Sequence, residues 1–417
     1  MRPIDLAYIL LAGVTAPVWM RKARGGWPER FGKGPALQSP GEKPRVLLHA
    51  VSVGEVNALR TLVPLLEERA EVVIASWTDT GIERARKVFG DRHEIVRYPL
   101  DFSWSVRRML DRVRPDAVGL VELELWPNFV RACARRGVPV CVINGRLSAK
   151  SFGGYRRIRR FVGPSFASLS FAAVQDEAYA ERFEQMGVRE NDCLITGTMK
   201  WDTAVIEDEV AGAAELAEAM GIDRSRPLVV AGSTAEGEEA LLHKSVPEGV
   251  QLLCAPRHPP RFDEAAAALP GCVRRSAGGV AGEDRDAGPD RFLLDSIGEL
   301  RAAYSLADAV VVGRSFVPKR GSDPIEPVGL GKATLIGPSF ENFDSVVRTL
   351  CGAGAIKVVD REFLAGAIRG LLDDPETRRA MAEAGRRTIR EHQGASERHA
   401  ELLVSLGREG MGRRGAG

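Results

Sequence analysis

The chain writes one pattern twice: short, continuously apolar runs separated by amphipathic helical stretches. In the first half the runs at 45–51 (RVLLHAV), 71–76 (EVVIAS), 116–121 (DAVGLV), 139–143 (PVCVI) and 171–174 (FAAV) read as buried strands. Helical periodicity lies between them, at 56–69, 82–89, 103–113 and 129–136. A strand that is apolar on both faces needs cover on both, which the crossover helices of a parallel sheet supply. The second half repeats the pattern, with strand runs at 228–231, 250–254, 292–294, 309–312 and 334–336 and helical stretches at 238–243, 261–268, 297–306 and 343–350. The expected fold class is α/β, with two doubly wound domains facing a central cleft. A length of 417 residues suits two such domains better than one core.

The boundaries follow from breaks in the pattern. Residues 31–205 form the first domain, 206–226 an acidic, Ala-rich linker, and 227–390 the second domain. Residues 391–417 are expected to finish a helix and end in a disordered tail past Gly407. The stretch 276–290 (SAGGVAGEDRDAGPD) reads as a surface loop, so its Asp284-Arg285-Asp286 is a weak candidate for a metal-binding DxD. Residues 6–20 (LAYILLAGVTAPVWM) are apolar and are followed by Arg21, Lys22 and Arg24. The run is short of the roughly 20 residues that span a bilayer and contains Pro17. It reads as a membrane anchor or interfacial helix within residues 1–30, the cations holding the following chain in the cytoplasm. The alternative is a helix packed on the protein body.

Composition removes several function classes. Lys plus Arg number 58 against 56 Asp plus Glu, so no global basic field marks a nucleic-acid partner. Six cysteines occur without a CxxC pair, which argues against a structural zinc site or a disulfide framework. No GxGxxG follows the first strand and no GxxxxGK[ST] occurs, which weakens dehydrogenase and P-loop readings.

Ligands of doubly wound sheets bind beyond the carboxyl ends of the strands. After the first strand stand Ser52, Gly54 and Glu55: the glycine permits a tight turn, and the glutamate is either a general base or a first-turn acid favoured by the helix dipole. The loop after the 116–121 strand carries Glu122, Glu124, Trp126 and Pro127. Carboxylates beside a buried strand are costly unless partnered. Arg146 and the run Arg156, Arg157, Arg159, Arg160 are either phosphate ligands or a solvated face beside an anionic membrane. In the second half, Pro256 and Arg257 end a strand, and an arginine there suits a phosphate. Gly298, Glu299 and Leu300 start a helix whose N–H groups can meet an anion. Asp323, Pro324, Ile325 and Glu326 start another, where Glu326 is either structural or a bridge across two ribose hydroxyls.

One ordered series of segments carries a family resemblance. HAVSVGEV (49–56), SWTDTG (76–81), YPLD (98–101), ELELWPN (122–128), NGRLSAKS (144–151) and TGTMKWD (196–202) come first. GSTAEGEE (232–239), APRHPPRF (255–262), DSIGELRAAY (295–304) and EPVGLGKATLIGP (326–338) follow. The chain resembles the transferases of 3-deoxy-D-manno-octulosonic acid (Kdo) in lipopolysaccharide assembly, nearly end to end.

The resemblance implies a GT-B glycosyltransferase with two Rossmann-like domains, no metal and no other cofactor. It implies CMP-Kdo as donor, a lipid A precursor (a tetra-acylated disaccharide bisphosphate) as acceptor, and inversion at the anomeric carbon. Glu55 falls on the family's catalytic-base position. Pro256 with Arg257, Gly298 to Leu300 and Asp323 to Glu326 fall on the stretches that hold CMP. Ser52, Gly54, Glu122, Glu124, Arg146, Arg156 and Arg157 are the acceptor-side candidates. The expected location is the cytoplasmic face of the inner membrane, with no nucleic-acid partner and no oligomeric state specified.

The chain departs from the family pattern on the donor side. Arg314 and Arg320 stand where glycines are usual, Ser322 and Asp323 replace His and Asn, and Ala235 replaces a His. Another GT-B enzyme remains open, either a lipid A disaccharide synthase-like transferase or a nucleotide-sugar epimerase. So does a catalytically silent, membrane-associated binding protein.

Overall fold

The ten apolar runs become the interior strands of two parallel sheets. A computed structural model of the chain describes residues 25–278 and 290–415. It divides into two compact units, one of residues up to Asp202 together with Gln393 onward, the other Thr203–His392.

The first unit holds β1 (Arg45–His49), β2 (Glu71–Ser76), β3 (Glu94–Arg97), β4 (Ala117–Val121), β5 (Val140–Gly145), β6 (Phe171–Val174) and β7 (Cys193–Ile195). Their order in the sheet is β3-β2-β1-β4-β5-β6-β7, and every pairing is parallel. Side chains alternate across the sheet as strand geometry requires. Leu47 joins Val73, Val118 and Leu120 in one core, while Val46 and Leu48 join Val72, Ile74 and Val121 in the other. Both cores are lined by buried apolar side chains, so each buried Val or Leu contributes on the order of 1.5–3 kcal/mol.

The second unit repeats the design with β8 (Leu228–Thr234), β9 (Gln251–Pro256), β10 (Val273–Arg274), β11 (Arg291–Leu293), β12 (Ala309–Val312), β13 (Ala333–Ile336) and β14 (Ile356–Val358). The order is β10-β11-β9-β8-β12-β13-β14, again all parallel.

Local chemistry starts the helices. Ser52 caps the helix Val53–Glu67, Thr78 accepts from the Gly81 N–H at 3.0 Å, and Asp176 accepts from the Tyr179 N–H at 2.8 Å. Pro127 opens the helix Pro127–Arg135, where its missing N–H costs nothing.

Several expectations need correction. The tail is not disordered past Gly407: Ala395–Gly415 is one helix, and its Leu403, Val404 and Leu406 pack into the Val46/Leu48 core. Asp202 holds its start, accepting from the Gly394 N–H at 2.7 Å and the Ser396 N–H at 2.6 Å. The stretch expected as a linker belongs to the second unit and contains the helix Ala213–Met220, packed on the helix Leu300–Leu306. Trp27–Arg30 is a short helix of the first unit's body, since Arg30 is buried and pairs with Asp79 at 3.1 Å. The expected anchor at 6–20 and the Asp284–Asp286 candidate lie outside the described residues. Among the described residues no helix is long and apolar enough to cross a membrane.

Candidate active site

Each sheet has a central reversal of strand order beside its first strand, and there the departing loops diverge and leave a crevice at the carboxyl edge. In the first unit the reversal lies between β1 and β4, whose register aligns His49 with Leu120. The loops after these residues carry Glu55, Glu122 and Glu124. Sequence order alone therefore brings three carboxylates to one edge.

Glu55 is tied back to its own loop. One oxygen accepts from the Val51 N–H at 2.8 Å and the other from the Ser52 hydroxyl at 2.8 Å, while Ser52 Oγ accepts from the Glu55 N–H at 3.4 Å. This is a capping box, which needs Ser and Glu three apart. A Cβ at Gly54, between them, would meet only the Ser52 hydroxyl, at 3.7 Å. Glu55 is only half-buried, and a carboxylate has about four acceptor positions, so these bonds do not fill it. Burial raises its proton affinity above the ordinary glutamate value and the Glu122 charge adds to this, against the hydrogen bonds from Val51 and Ser52.

Glu122 holds a left-handed backbone, φ +61°, fixed by its N–H donating to the Ile143 carbonyl at 3.0 Å. Non-glycine residues reach that region at a cost, and such strain gathers at functional loops. Glu124 accepts from the Trp126 indole N–H at 3.0 Å. Burial, then the Glu55 charge, pushes the Glu124 carboxyl up to about 7. Trp126 stacks on Trp77 at 5.8 Å, and the Arg30 guanidinium lies 5.4 Å from the Trp77 ring centre. Beneath the Glu55 loop, His49 is fully buried, stacks on Tyr98 at 3.7 Å and is kept neutral by burial, its pKa lowered to about 3.

Arg156 and Arg157 are not drawn into the carboxylate cluster, whereas the Arg146 backbone N–H donates to the Glu122 carbonyl at 3.3 Å. Arg146 Nε reaches the Tyr179 hydroxyl at 3.4 Å. Arg156 and Arg157 are exposed on the helix Ala149–Arg157, where Arg156 lies over Phe152. Burial, then the Glu124 charge, raises the pKa of Tyr155 on that helix.

In the second unit the reversal falls between β8 and β12. Arg257 follows Pro256, the last residue of β9, and its side chain is exposed. Tyr304 is buried behind the edge, and burial, then Glu326 and Asp323, raise its pKa while Arg257 opposes. Arg257, Asp323 and Glu326 thus lie within electrostatic reach of one hydroxyl-bearing ring. A Cβ at Gly232 would overlap the Tyr304 hydroxyl, and one at Gly313 would strike the Ser233–Thr234 backbone, so both positions need glycine.

Asp323 caps Ile325, accepting from its N–H at 2.9 Å, and Ile325 itself is core. Glu326 is half-buried, and among the described residues its carboxylate has no hydrogen-bond or ion-pair partner. Burial, then Asp323, raises its proton affinity. Pro324 is buried just ahead of that helix. Glu299 is occupied: it pairs with Arg275 at 3.0 Å and accepts from the Ser296 hydroxyl. Gly298 and Leu300 flank it, at the start of a seven-residue helix.

Sequence reasoning missed Glu238. It is 1% exposed and accepts three backbone N–H bonds, from Ala235 at 2.8 Å, Arg314 at 2.6 Å and Phe316 at 2.9 Å. These clamp the loops after β8 and β12 together. The only available signal was an acid in the first turn of a helix, which most helices share.

The sequence and the fold both match known proteins. The family model described as 3-deoxy-D-manno-octulosonic-acid transferase (kdotransferase) matches residues 25–203. A 3-deoxy-D-manno-octulosonic acid transferase of Bordetella pertussis is 33% identical, across 95% of this chain and 97% of that protein. The enzyme of the same name from Haemophilus influenzae is 30% identical, across 96% and 95%. Among solved structures, the Anabaena HepE protein in complex with UDP superposes with a TM-score of 0.60 at 12% identity, covering 87% of this chain and 100% of that one. That likeness bears on fold alone, two Rossmann-like α/β units of GT-B type.

Proposed function

Since the chain belongs to the 3-deoxy-D-manno-octulosonic acid transferase family of glycosyltransferases, we propose that it moves Kdo from CMP-Kdo to a sugar hydroxyl of a lipid A precursor, with inversion and with Glu55 as the general base. The carboxylate takes the hydroxyl proton as the oxygen forms a bond to the anomeric carbon. The bond from that carbon to the phosphate oxygen breaks, and CMP leaves with the electron pair. Arg257 faces the departing phosphate, where fixed positive charge stabilises charge that develops in the transition state. Glu326, whose carboxylate has no partner among the described residues, accepts from the ribose hydroxyls.

The observation that carries the reading is Glu55 itself. Burial and the neighbouring carboxylate strengthen it as a base, and two hydrogen bonds hold it in place with acceptor positions to spare.

An acceptor in an anionic membrane suits the surface of the first unit. No acidic residue stands between Glu124 and Asp176. In that stretch Arg156, Arg157, Arg159 and Arg160 are exposed together with Ile158 and Phe161. Cations interleaved with apolar side chains favour the headgroup region.

Purified protein, CMP-Kdo and a lipid A precursor, with the product read by mass spectrometry, test the assignment. Glu55→Gln keeps an oxygen for the Val51 N–H but cannot take a proton. It is expected to lower kcat by roughly 10²–10⁴ while leaving CMP affinity unchanged. Full activity in the variant would show Glu55 to be a helix cap only. CMP release without a modified lipid would overturn the acceptor.

A further inference from the structure

Arg314 holds a backbone conformation that side chains rarely take. Its φ is +60°, just past the carboxyl end of β12. Placing a Cβ there crowds the following carbonyl, so the surroundings must hold it. The Arg314 N–H donates to buried Glu238 at 2.6 Å, and the Arg314 carbonyl accepts from the Gly321 N–H at 2.9 Å. Glycine would occupy the position without strain, so an arginine side chain is carried here at the backbone's expense.

That side chain sets a second guanidinium at the edge that carries Arg257. The guanidinium donates to the Lys319 carbonyl at 3.1 Å, a neutral acceptor, and among the described residues it has no ion pair. Arg257 also lacks an ion pair among the described residues and is exposed. Arg261 differs, because Glu239 and Glu264 each neutralise it at 3.0 Å. His258 reports the crowding: burial, then Arg314, Arg257 and Arg261, lower its proton affinity. Arg257 follows β9 and Arg314 follows β12, the two strands that flank β8 at the point of reversal. Two uncompensated guanidinium groups at such an edge attract an anion.

We infer that Arg314 is a second anion ligand for the donor, acting beside Arg257 on the nucleotide phosphate or on the carboxylate of the transferred sugar. This rests on the donor assigned above. The planar fork of a guanidinium matches either group through paired N–H bonds, and the loop Arg314–Gly321 is closed on itself so that the fork stays near the edge.

The test is calorimetric titration of the full chain, wild type and Arg314→Gly, with CMP and with CMP-Kdo. Glycine relieves the strain, so the variant should fold with a Tm equal to wild type or about 2 °C higher. Its affinity for CMP-Kdo should fall about tenfold or more. An equal loss for CMP assigns the phosphate, and a loss confined to CMP-Kdo assigns the sugar carboxylate. Arg314→Lys keeps the charge but not the fork and should fall between. Affinities for both ligands within twofold of wild type would overturn the inference alone. A wild-type chain that binds neither ligand would overturn the donor assignment beneath it.

Discussion

Replacing Glu124 by glutamine should stabilise the protein at neutral pH and leave it unchanged in acid. In the fold the Glu124 carboxyl is raised from 4.5 to about 7, chiefly by burial and then by the Glu55 charge. Each pH unit between the two states corresponds to 1.36 kcal/mol, so ionising Glu124 in place costs about 3 kcal/mol. The sign follows from proton counting. Between pH 4.5 and 7 the folded chain keeps a proton that the unfolded chain has lost, so stability falls as pH rises through that window and then levels off. Glutamine removes the titration and still offers an oxygen to the Trp126 indole, giving up only the charge assistance of one hydrogen bond. The net gain at pH 8 is about 2 kcal/mol, or roughly 4–8 °C in Tm for a domain of this size. Urea melts of wild type and Glu124→Gln at pH 4, 6 and 8 would measure it. A variant less stable than wild type at pH 8, or one with the same advantage at pH 4, would refute the reasoning.

Two further substitutions test what holds the functional edges in place. Glu238→Ala leaves three buried N–H groups without an acceptor. At about 1.5–3 kcal/mol per hydrogen bond to a charged group, partly recovered by water, the loss should reach about 4 kcal/mol. The amides of Ala235, Arg314 and Phe316 should lose hydrogen-exchange protection while that of Val51 keeps its own. Asp202→Ala uncaps the helix Ala395–Gly415 and should cost about 1–2 kcal/mol in urea titration. Proteolysis near residue 393 should quicken in the same variant, and unchanged cleavage would remove the cap from the account.

The strands legible in the sequence are those flanked on both sides by other strands. All ten apolar runs found by pattern are interior, and β2, β6 and β12 match their runs end to end. The four strands that escaped, β3, β7, β10 and β14, are the four sheet edges. An edge strand such as Glu94–Arg97 or Ile356–Val358 is covered on fewer sides and keeps charged residues, so continuous hydrophobicity fades there. The C-terminal helix was obscured for a similar reason. Its last turns are Gly- and Arg-rich, and only the stripe of Leu403, Val404 and Leu406 reveals a packed face. Glu55 was legible because it opens the helix just past a buried strand, and its expected role came from the family resemblance. Glu238, the left-handed Arg314 and the Asp202 cap were not, because each depends on partners brought close only by the fold.

The two units place a glutamate at the same point of the same topology, in the first turn of the helix after the first strand, and turn it to different ends. Glu55 and Glu238 both fold back to accept backbone N–H bonds, and burial raises the proton affinity of both. The difference lies in what each accepts and how much water reaches it. Glu238 is closed off, and its three N–H bonds come from both loops of the crevice, so it can neither receive nor release a proton without breaking the clamp. Glu55 takes one N–H and one hydroxyl, both from its own loop, and stays half exposed. Its protonation would loosen a cap worth about 1 kcal/mol rather than a domain. A base must change its charge within the reaction without unfolding what holds it, and of the two only Glu55 is bound loosely enough to do so.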